Sequence, residues 1–507
     1  MLDTVDRGAA ARAALAGVAG VFGSYGVAGF TPEFVAAPVT SLLSRMMPGA
    51  VITFAITVLG DLGQKLNLLS GIGIAAIGLG LASYIGISLG RQRGGAVPVA
   101  LGVGGLVAGT VALVTGALVS ALGAGLAAGA VAGIGESRPV PASTAGAARR
   151  RLLRSAGALA GAGALAAYLG PRRTTAAEGQ PAAGGANDGG EGGEATTPVE
   201  VMNREGVVSA VSDRLDTADA TSLGVNGIEP LVSEDFYEVD INAVNPTVAV
   251  EDWEMRVTGA VESEGAYAFE DLASMEPEHR FVTLRCVGES LNGDKMDTAL
   301  WTGIPMGPII DRANPQGEYV MLRAVDDYFE EFPVEALRRG FLAYGMNGEP
   351  LPRGHGYPVR ALIPGHWGEI NVKWLDEVEI LEREAKGYWE QRGWHGTGPV
   401  NTVAKIKAVN RLGGTQVQLG GHAYAGTRGI SAVEVSTDGG DSWAEADLSE
   451  PLPGEDVWRQ WTHIYESPGS EHEVLARAIE ADGRIQPRKE SKSFPSGPTG
   501  WVSRTVR

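Results

Sequence analysis

Cys286 is the only cysteine among 507 residues, and it follows directly on Phe281-Val282-Thr283-Leu284-Arg285. One cysteine cannot form an internal disulfide, and without a CxxC pair there is no dithiol for zinc or for redox exchange. Two uses remain open for it. A lone thiol can be a small buried hydrophobe, or its thiolate can be the ligand of a soft metal centre. The β-branched run Phe281 to Leu284 reads as a strand, and Val287-Gly288 as the turn after it, so the thiol sits where a strand ends.

The elements around that strand divide unevenly by charge. Of 60 acids and 41 bases in the chain, residues 1–174 hold five acids and thirteen bases. That leaves 55 acids and 28 bases for residues 175–507, a net charge of −27. Only eight lysines occur in the whole chain. Such an acidic surface excludes nucleic acid as a partner, which requires clustered cations, and fits a halophilic protein that stays hydrated in high salt.

The first 173 residues read as a membrane domain of about five or six helices. Apolar runs lie near 8–30, 48–66, 68–90, 96–116, 117–134 and 153–170, each about long enough to cross a bilayer. Asp61 and Lys65 weaken the second. Six such runs in succession leave no polar face for a soluble bundle, and their many glycines suit close helix packing in lipid. Arg91 and Arg93, then Arg138, Arg149, Arg150, Arg151 and Arg154, place two connections in the cytoplasm by the positive-inside rule, against the contrary Arg172 and Arg173. Everything after the last helix is then extracytoplasmic. Ala148-Arg-Arg-Arg-Leu-Leu-Arg154 also resembles a twin-arginine export signal, a route for folded, cofactor-loaded domains, although ordinary positive-inside arginines explain it equally well. All seven histidines lie from His279 onward, so these helices offer no histidine pair for a haem. No cleavable signal is expected at the extreme N-terminus.

Residues 174–200, rich in Gly, Ala, Glu and Thr, read as a flexible acidic linker. From about 201 to 399 strands and turns alternate, as in the period-two strand Trp253 to Gly259. Here the order of motifs becomes specific: Asp235-Phe236-Tyr237-Glu238, Arg285-Cys286-Val287, Trp301-Thr-Gly-Ile-Pro305, Tyr344-Gly-Met-Asn-Gly-Glu-Pro-Leu-Pro352, His355-Gly-Tyr-Pro-Val-Arg360, Pro364-Gly365 and Val372-Lys-Trp-Leu375. This array resembles the sulfite oxidase family of molybdopterin enzymes, which includes sulfite oxidase and the periplasmic methionine-sulfoxide reductases. The resemblance spans about 230–400 and implies an α+β molybdopterin domain with a Mo-molybdopterin cofactor.

The same resemblance implies that Cys286 is the metal ligand and a catalytic residue. Arg360 and Lys373 would bind the pterin phosphate, with His355 at the pterin or phosphate. The backbone of Asn371, Val372 and Lys373 would approach the cofactor closely, and Tyr237 and Glu238 would hold the pterin. Asp326 is a looser match to a further pterin contact. The chemistry suits these types, since a phosphate and a polar ring edge need fixed cations and hydrogen-bond donors. Departures from sulfite oxidase concern the anion grip. Leu291 and Ile370 stand where that enzyme carries arginines, and Trp394 stands at its active-site tyrosine. Trp394 and His395 are the substrate-pocket candidates. A pocket stripped of two cations binds a dianion poorly, so a neutral S-oxide or N-oxide, or another small molecule, is as good a candidate substrate as sulfite.

Residues 400–490 show strands at Thr402–Val409, Gln416–Tyr424, Ile430–Ser436 and Glu473–Ile479, with a hairpin turn at Thr437 to Asp441. This spacing suggests an immunoglobulin-like β-sandwich. Gly421-His-Ala-Tyr-Ala-Gly426, Trp443, Trp458 and Trp461 resemble the dimerisation domain of sulfite oxidases, implying a homodimer. Residues 491–507 read as a disordered tail. The whole reads as a membrane-anchored oxidoreductase with an extracytoplasmic site for a small-molecule substrate and a separate electron-transfer partner. The reading from another class is a non-catalytic cell-surface binding or assembly protein that retains the fold.

Overall fold

The computed structural model describes residues 6–136, 146–179 and 196–507. Two compact units emerge: Met1–Pro48 with Leu59–Gln180 and Asp240–Thr247, and Gly49–Val58 with Pro181–Val239 and Val248–Arg507.

Among the described residues of the first unit five helices are long and apolar enough to cross a membrane: Arg7–Ala28, Leu62–Gln92, Ala96–Thr115, Leu118–Glu136 and Arg151–Thr174. The first begins where Asp6 Oδ1 accepts from the N–H groups of Gly8 and Ala9, satisfying two orphan donors. Glycines let the helices approach closely. A Cβ on Gly125 would lie 2.6 Å from Gly104 O, and one on Gly123 2.6 Å from Gly23 O. Leu101, Leu113, Leu118 and Leu126 point outward while small residues fill the interior, the reverse of a water-soluble bundle. At one end Glu136 takes Arg12 at 2.7 Å and Arg91 at 2.6 Å. The apolar run near 48–66 departs from a single span. It breaks into a short helix Gly49–Phe54, a π-helical turn Ala55–Leu59 and Gly60 at φ 53°. Most of the expected acidic linker, and Arg138, lie outside the described residues. At the ends of the linker, helix runs on to Gly179, and Thr197 and Glu200 form a capping box on the helix Pro198–Met202.

The second unit carries the Cys286 strand. The expected strand is observed as Glu278–Arg285, paired antiparallel to Met296–Pro305, which also pairs with Phe341–Met346. Every residue from Met296 to Ile304 is buried, as befits a strand covered on both faces. Glu349–Pro350 and Arg360–Leu362 add to Phe341–Met346. A second sheet runs in the order Gly265–Ala268, Glu254–Gly259, Leu375–Leu381, Tyr319–Ala324, Phe329–Pro333. Its Leu375–Leu381 strand follows directly on Val372-Lys373-Trp374, so sheet geometry fixes that motif.

Towards the C-terminus the strands Gln416–Tyr424 and Ile430–Ser436 match expectation residue for residue. The expected Thr402–Val409 strand is instead two, Val403–Ala404 and Ala408–Gly413, with the Lys405 and Lys407 N–H groups between them still bonded to His422 O and Gly420 O of the neighbouring strand. One sheet gathers Val403–Ala404, Ala408–Gly413, Gln416–Tyr424, Asp447–Leu448 and Arg459–Glu466; the other gathers Ala444–Glu445, Ile430–Ser436, His472–Glu480 and Val502–Val506. The last strand corrects the expectation of a disordered tail: His472 to Ala476 pair with Val506 to Val502. Side chains of both sheets share one core with the Cys286 strand and its neighbours.

His422 in the Gln416–Tyr424 strand lies flat on Trp458, with ring centroids 3.9 Å apart, and bonds Glu229 O at 2.9 Å. Burial, then Lys405 and Lys407, drive its pKa down to about 3. The unfolded chain therefore binds the extra proton first, so acid costs stability from about pH 6.5 downward. Asp297 and Asp456, pushed up to about 6 by burial, act in the opposite sense, which makes a variant comparison necessary. Thermal unfolding of His422→Gln against the parent should show the parent losing about 2 kcal/mol more between pH 7 and pH 5. Parallel pH profiles would refute the assignment.

Candidate active site

Cys286 leaves the sheet at the end of its strand, with its N–H bonded to Lys295 O at 3.0 Å and its O accepting from Glu289 N–H at 3.3 Å. Burial pushes the thiol up to about 11. A buried thiol at such a value becomes a thiolate only beside a strong positive charge, such as a metal ion. The loop after it is clamped from behind. Arg285 Nε meets Glu289 Oε1 at 2.7 Å, and Lys405 Nζ meets Glu289 Oε2 at 2.7 Å, all nearly free of solvent. Arg285 also donates to Asn401 O at 2.7 Å and lies 5.0 Å over the Trp367 ring. The strand thus aims its arginine away from the thiol.

Tyr237 and Glu238 arrive on a segment pinned by Asp297, whose Oδ2 accepts the Tyr237 N–H at 2.9 Å. Burial, then the nearby Cys286, hold the Tyr237 phenol well above its usual range. Arg360 is buried; it donates to His355 O at 3.2 Å and to Asn371 O at 2.8 Å, and lies 5.1 Å over Trp301. Lys373 Nζ donates to Gly354 O at 2.7 Å. Between them His355 is held neutral, at about 3, by burial and by the charges of Lys373 and Arg360, with Glu238 opposing. Tyr237, Glu238, Cys286, His355, Arg360 and Lys373 therefore converge.

Glycines make the cradle. Gly356 has φ 109°, and a Cβ there would press on Lys373 Cα at 3.1 Å and Arg360 Cβ at 3.0 Å. A Cβ on Gly368 would lie 2.7 Å from Tyr237 Oη, and one on Gly354 2.6 Å from the Glu238 carboxyl carbon. The backbone comes this close only without side chains.

The other expected residues are placed by contacts of their own. Asn371 spends its side chain on the loop, donating to Trp367 O at 2.9 Å and accepting from Ile363 N–H at 2.7 Å. Val372 is buried, with its N–H on Ile370 O and its O on Ala361 N–H. Asp326 Oδ1 accepts from Tyr328 N–H at 3.1 Å in the turn before Phe329–Pro333. Trp394 is buried, and its Cη2 lies 3.8 Å from the Cβ position of Gly288, as does Cys286 Sγ. His395 is exposed, and its N–H goes to Pro495 O at 2.8 Å. Sequence reasoning missed Asp297, the Glu289–Lys405 pair and the buried carboxyls Glu330, Glu369 and Glu390. Only the i,i+4 spacing of Arg285 and Glu289 offered a signal.

Residues 242–389 match the model of the oxidoreductase molybdopterin binding domain, and 399–496 that of the Mo-co oxidoreductase dimerisation domain. Rat (Rattus norvegicus) mitochondrial sulfite oxidase is 30% identical over 225 residues, 39% of this chain and 37% of its own. Residues 242–496 thus carry a molybdopterin-binding oxidoreductase domain followed by a Mo-co dimerisation domain, and this part of the chain is similar to sulfite oxidases. Arabidopsis thaliana sulfite oxidase is 24% identical over 320 residues, covering 50% of this chain and 81% of its own. Brassica napus nitrate reductase [NADH] is 25% identical over 309 residues, 47% of this chain and 34% of its own. The matches to the rat and mouse enzymes span 37% of their length. The crystal structure of the sulfane dehydrogenase SoxCD from Paracoccus pantotrophus superposes with a TM-score of 0.46 at 20% identity, covering 52% of this chain and 78% of that one.

Mo-molybdopterin is the cofactor of this family, and the residues present fit it. A soft thiol stands at one side, and a buried arginine and a half-buried lysine flank a neutral imidazole at the other. Glycines between them open the backbone to a large ligand. Removing one partner of the clamp tests how the thiol is held. Glu289→Gln strands the buried charges of Arg285 and Lys405 and should cost about 3–5 kcal/mol, and Lys405→Met added to it should recover part of that loss. Thermal unfolding of the single and double variants is the check.

Proposed function

We propose that this chain is a membrane-anchored molybdenum oxidoreductase with an extracytoplasmic site that transfers an oxygen atom to or from a small molecule. The observation that carries the reading is the convergence of Cys286, Tyr237, His355, Arg360 and Lys373 around Gly356 and Gly368. Cys286 supplies the protein thiolate to the metal. Arg360 and Lys373 take the pterin phosphate, and neutral His355 hydrogen-bonds there without adding charge. Tyr237 and Glu238 close the pterin side, and the backbone at Asn371 to Lys373 sets the spacing. Trp394 walls the substrate side, with His395 at its outer edge. Bound Mo-molybdopterin supplies two-electron redox chemistry coupled to oxygen-atom exchange.

The outward leucines and glycine-packed helices support an anchor in lipid. Arg12, Arg91 and Arg151 all approach Glu136 at one end of the bundle, which fits a cytoplasmic end. Electrons pass to a separate redox partner. The two C-terminal sheets serve as an immunoglobulin-like sandwich through which a homodimer forms, in keeping with the match at 399–496.

Molybdenum and pterin content of the full chain, made in a molybdopterin-competent host, tests this beside Cys286→Ser. The expected result is near-stoichiometric metal whose redox signal is lost or altered in the variant. Well-folded protein without molybdenum or pterin would leave a cell-surface binding protein as the better account. Arg360→Met, expected to lower cofactor content roughly tenfold or more by removing a charge-assisted contact, separates phosphate binding from metal ligation.

A further inference from the structure

Gly49–Val58 packs with the second unit, although the chain on either side of it, Met1–Pro48 and Leu59–Gln180, belongs to the first. It is a strap tethered at both ends. Its inner face touches the Cys286 loop. A Cβ on Gly288 would lie 2.6 Å from Ile56 Cγ2, and the same bare face is shared by Cys286 Sγ and Trp394 Cη2, each at 3.8 Å. Only a glycine at 288 leaves room for the isoleucine beside the thiol. At its start the strap rests on the turn Glu390–Arg392, just before Trp394: a Cβ on Gly49 would lie 3.0 Å from Arg392 O and 3.2 Å from Arg392 Cβ. Trp394 in turn meets Phe494 edge-on at 5.2 Å. Beyond Trp394 this face runs on to Glu369, which meets Val287 across the bare side of Gly396.

The strap is built to move. None of its residues is buried, and Thr57 spends its hydroxyl inside the strap, on Thr53 O at 2.7 Å. An element with so little burial opens at low cost. Its helix gives way to a π-helical turn at Ala55–Leu59, Gly60 follows at φ 53°, and Pro48 stands before its first residue. Breaks of this kind absorb the backbone change of a hinge.

Its outer face is suited to lipid. No charged residue lies between Arg45 and Asp61, and Val51, Phe54 and Val58 are 49, 53 and 64% exposed. Ala37–Met46 and Gly49–Leu59 together are apolar enough for a span but are bent by 111°, and the candidate span Leu62–Gln92 follows at once. An uncharged segment held between such helices gains by laying its apolar side in the bilayer surface.

Resting on the function proposed above, we infer that Gly49–Val58 is a gate seated in the bilayer surface, with Ile56 as the removable wall on the Trp394 side of Cys286 and Val51, Phe54 and Val58 in lipid. Closed, the strap keeps water from the Gly288 face. Open, it admits a small molecule there. Entry to the site is thereby coupled to the membrane that holds both ends of the strap.

The test uses the full chain in phosphatidylcholine vesicles, made in a host without molybdopterin so that Cys286 is its only thiol and is free. Ile56→Cys should let dibromobimane bridge the new thiol to Cys286, and Val58→Cys on the outer face should not. Gly49→Cys/Arg392→Cys, closed by a disulfide, should slow maleimide labelling of Cys286 roughly tenfold or more, and reduction should restore the rate. Ile56→Ala should speed the same labelling several-fold. A nitroxide on Phe54→Cys, in a Cys286→Ser background, should collide with oxygen in preference to a water-soluble nickel chelate. A missing bridge in Ile56→Cys would overturn the inference, as would a lock that never forms. Labelling that neither the lock nor Ile56→Ala changes, or a nitroxide that favours nickel, would do the same. Every reading is made without metal, so these outcomes are separate from the molybdenum analysis that decides the function proposed above.

Discussion

The position of the cysteine depends on a buried charge lock between two parts of the second unit. Glu289 takes Arg285 on one oxygen and Lys405 on the other, and Lys405 also donates to Gly293 O at 2.8 Å. Asn292 exchanges two hydrogen bonds with Ile406, at 2.9 and 3.0 Å. The loop from Cys286 to Gly293 is therefore fastened at both ends to the segment that opens the C-terminal sheets. Burying three charges is costly and is repaid only when each finds directed partners. Arg285 adds a carbonyl and an aromatic face to its carboxylate. The result is a thiol fixed at a strand end with little freedom to move, which is what a ligand position requires.

That dependence explains why the C-terminal sheets are more than an attachment. Tyr424 Oη reaches Thr283 O at 3.0 Å and Asp456 Oδ1 at 2.6 Å, while Asp456 Oδ2 accepts from Gly365 N–H at 2.9 Å. Trp458 N–H goes to Thr283 Oγ1 at 2.9 Å. The Cys286 strand and the Pro364-Gly365 turn are both held by residues more than ninety positions downstream. Side chains from both parts enter one core, so the Cys286 strand and the C-terminal sheets stabilise one another.

Much of this was legible in the sequence where a pattern is local. The strand before Cys286 and the strands Gln416–Tyr424 and Ile430–Ser436 follow from short-range periodicity and turn residues. The ordered motifs from Tyr237 to Lys373 marked the cradle because all but the Asp235–Glu238 segment carry a glycine or a cation. What was missed is long-range. Val502–Val506 looked like a tail because Ser503, Arg504 and Thr505 are polar, yet an outer strand buries little and is held by its ladder with His472–Glu480. For Asn371 the sequence points to a close backbone approach, and only the fold shows that its side chain, bonded to Trp367 and Ile363, holds that turn in place. Glu330, Glu369 and Glu390 look like surface charge in an acidic chain. Only the fold, which closes Gly387 and Gly396 over them, shows that they are buried.

The two sides of the Cys286 cradle carry opposite electrostatics, and that division limits what each can hold. On the Gly356 side Arg360 and Lys373 stand around an imidazole that they help keep neutral. Their charge is only partly offset there by Glu238, so that side attracts an anionic group and gains by neutralising it. On the Glu369 side the polar groups are carboxyls raised by burial and an indole N–H, with Lys295 the cation that most affects the thiol. A ligand carrying a phosphate at one end and a polar, uncharged reacting partner at the other satisfies both sides at once. Exchanging the ends would place an anion against carboxyls and take the anionic group away from Arg360 and Lys373. The charge division therefore orients the ligand as well as binding it, and it does so with groups whose own positions are set by the glycine turns and the lock behind Arg285.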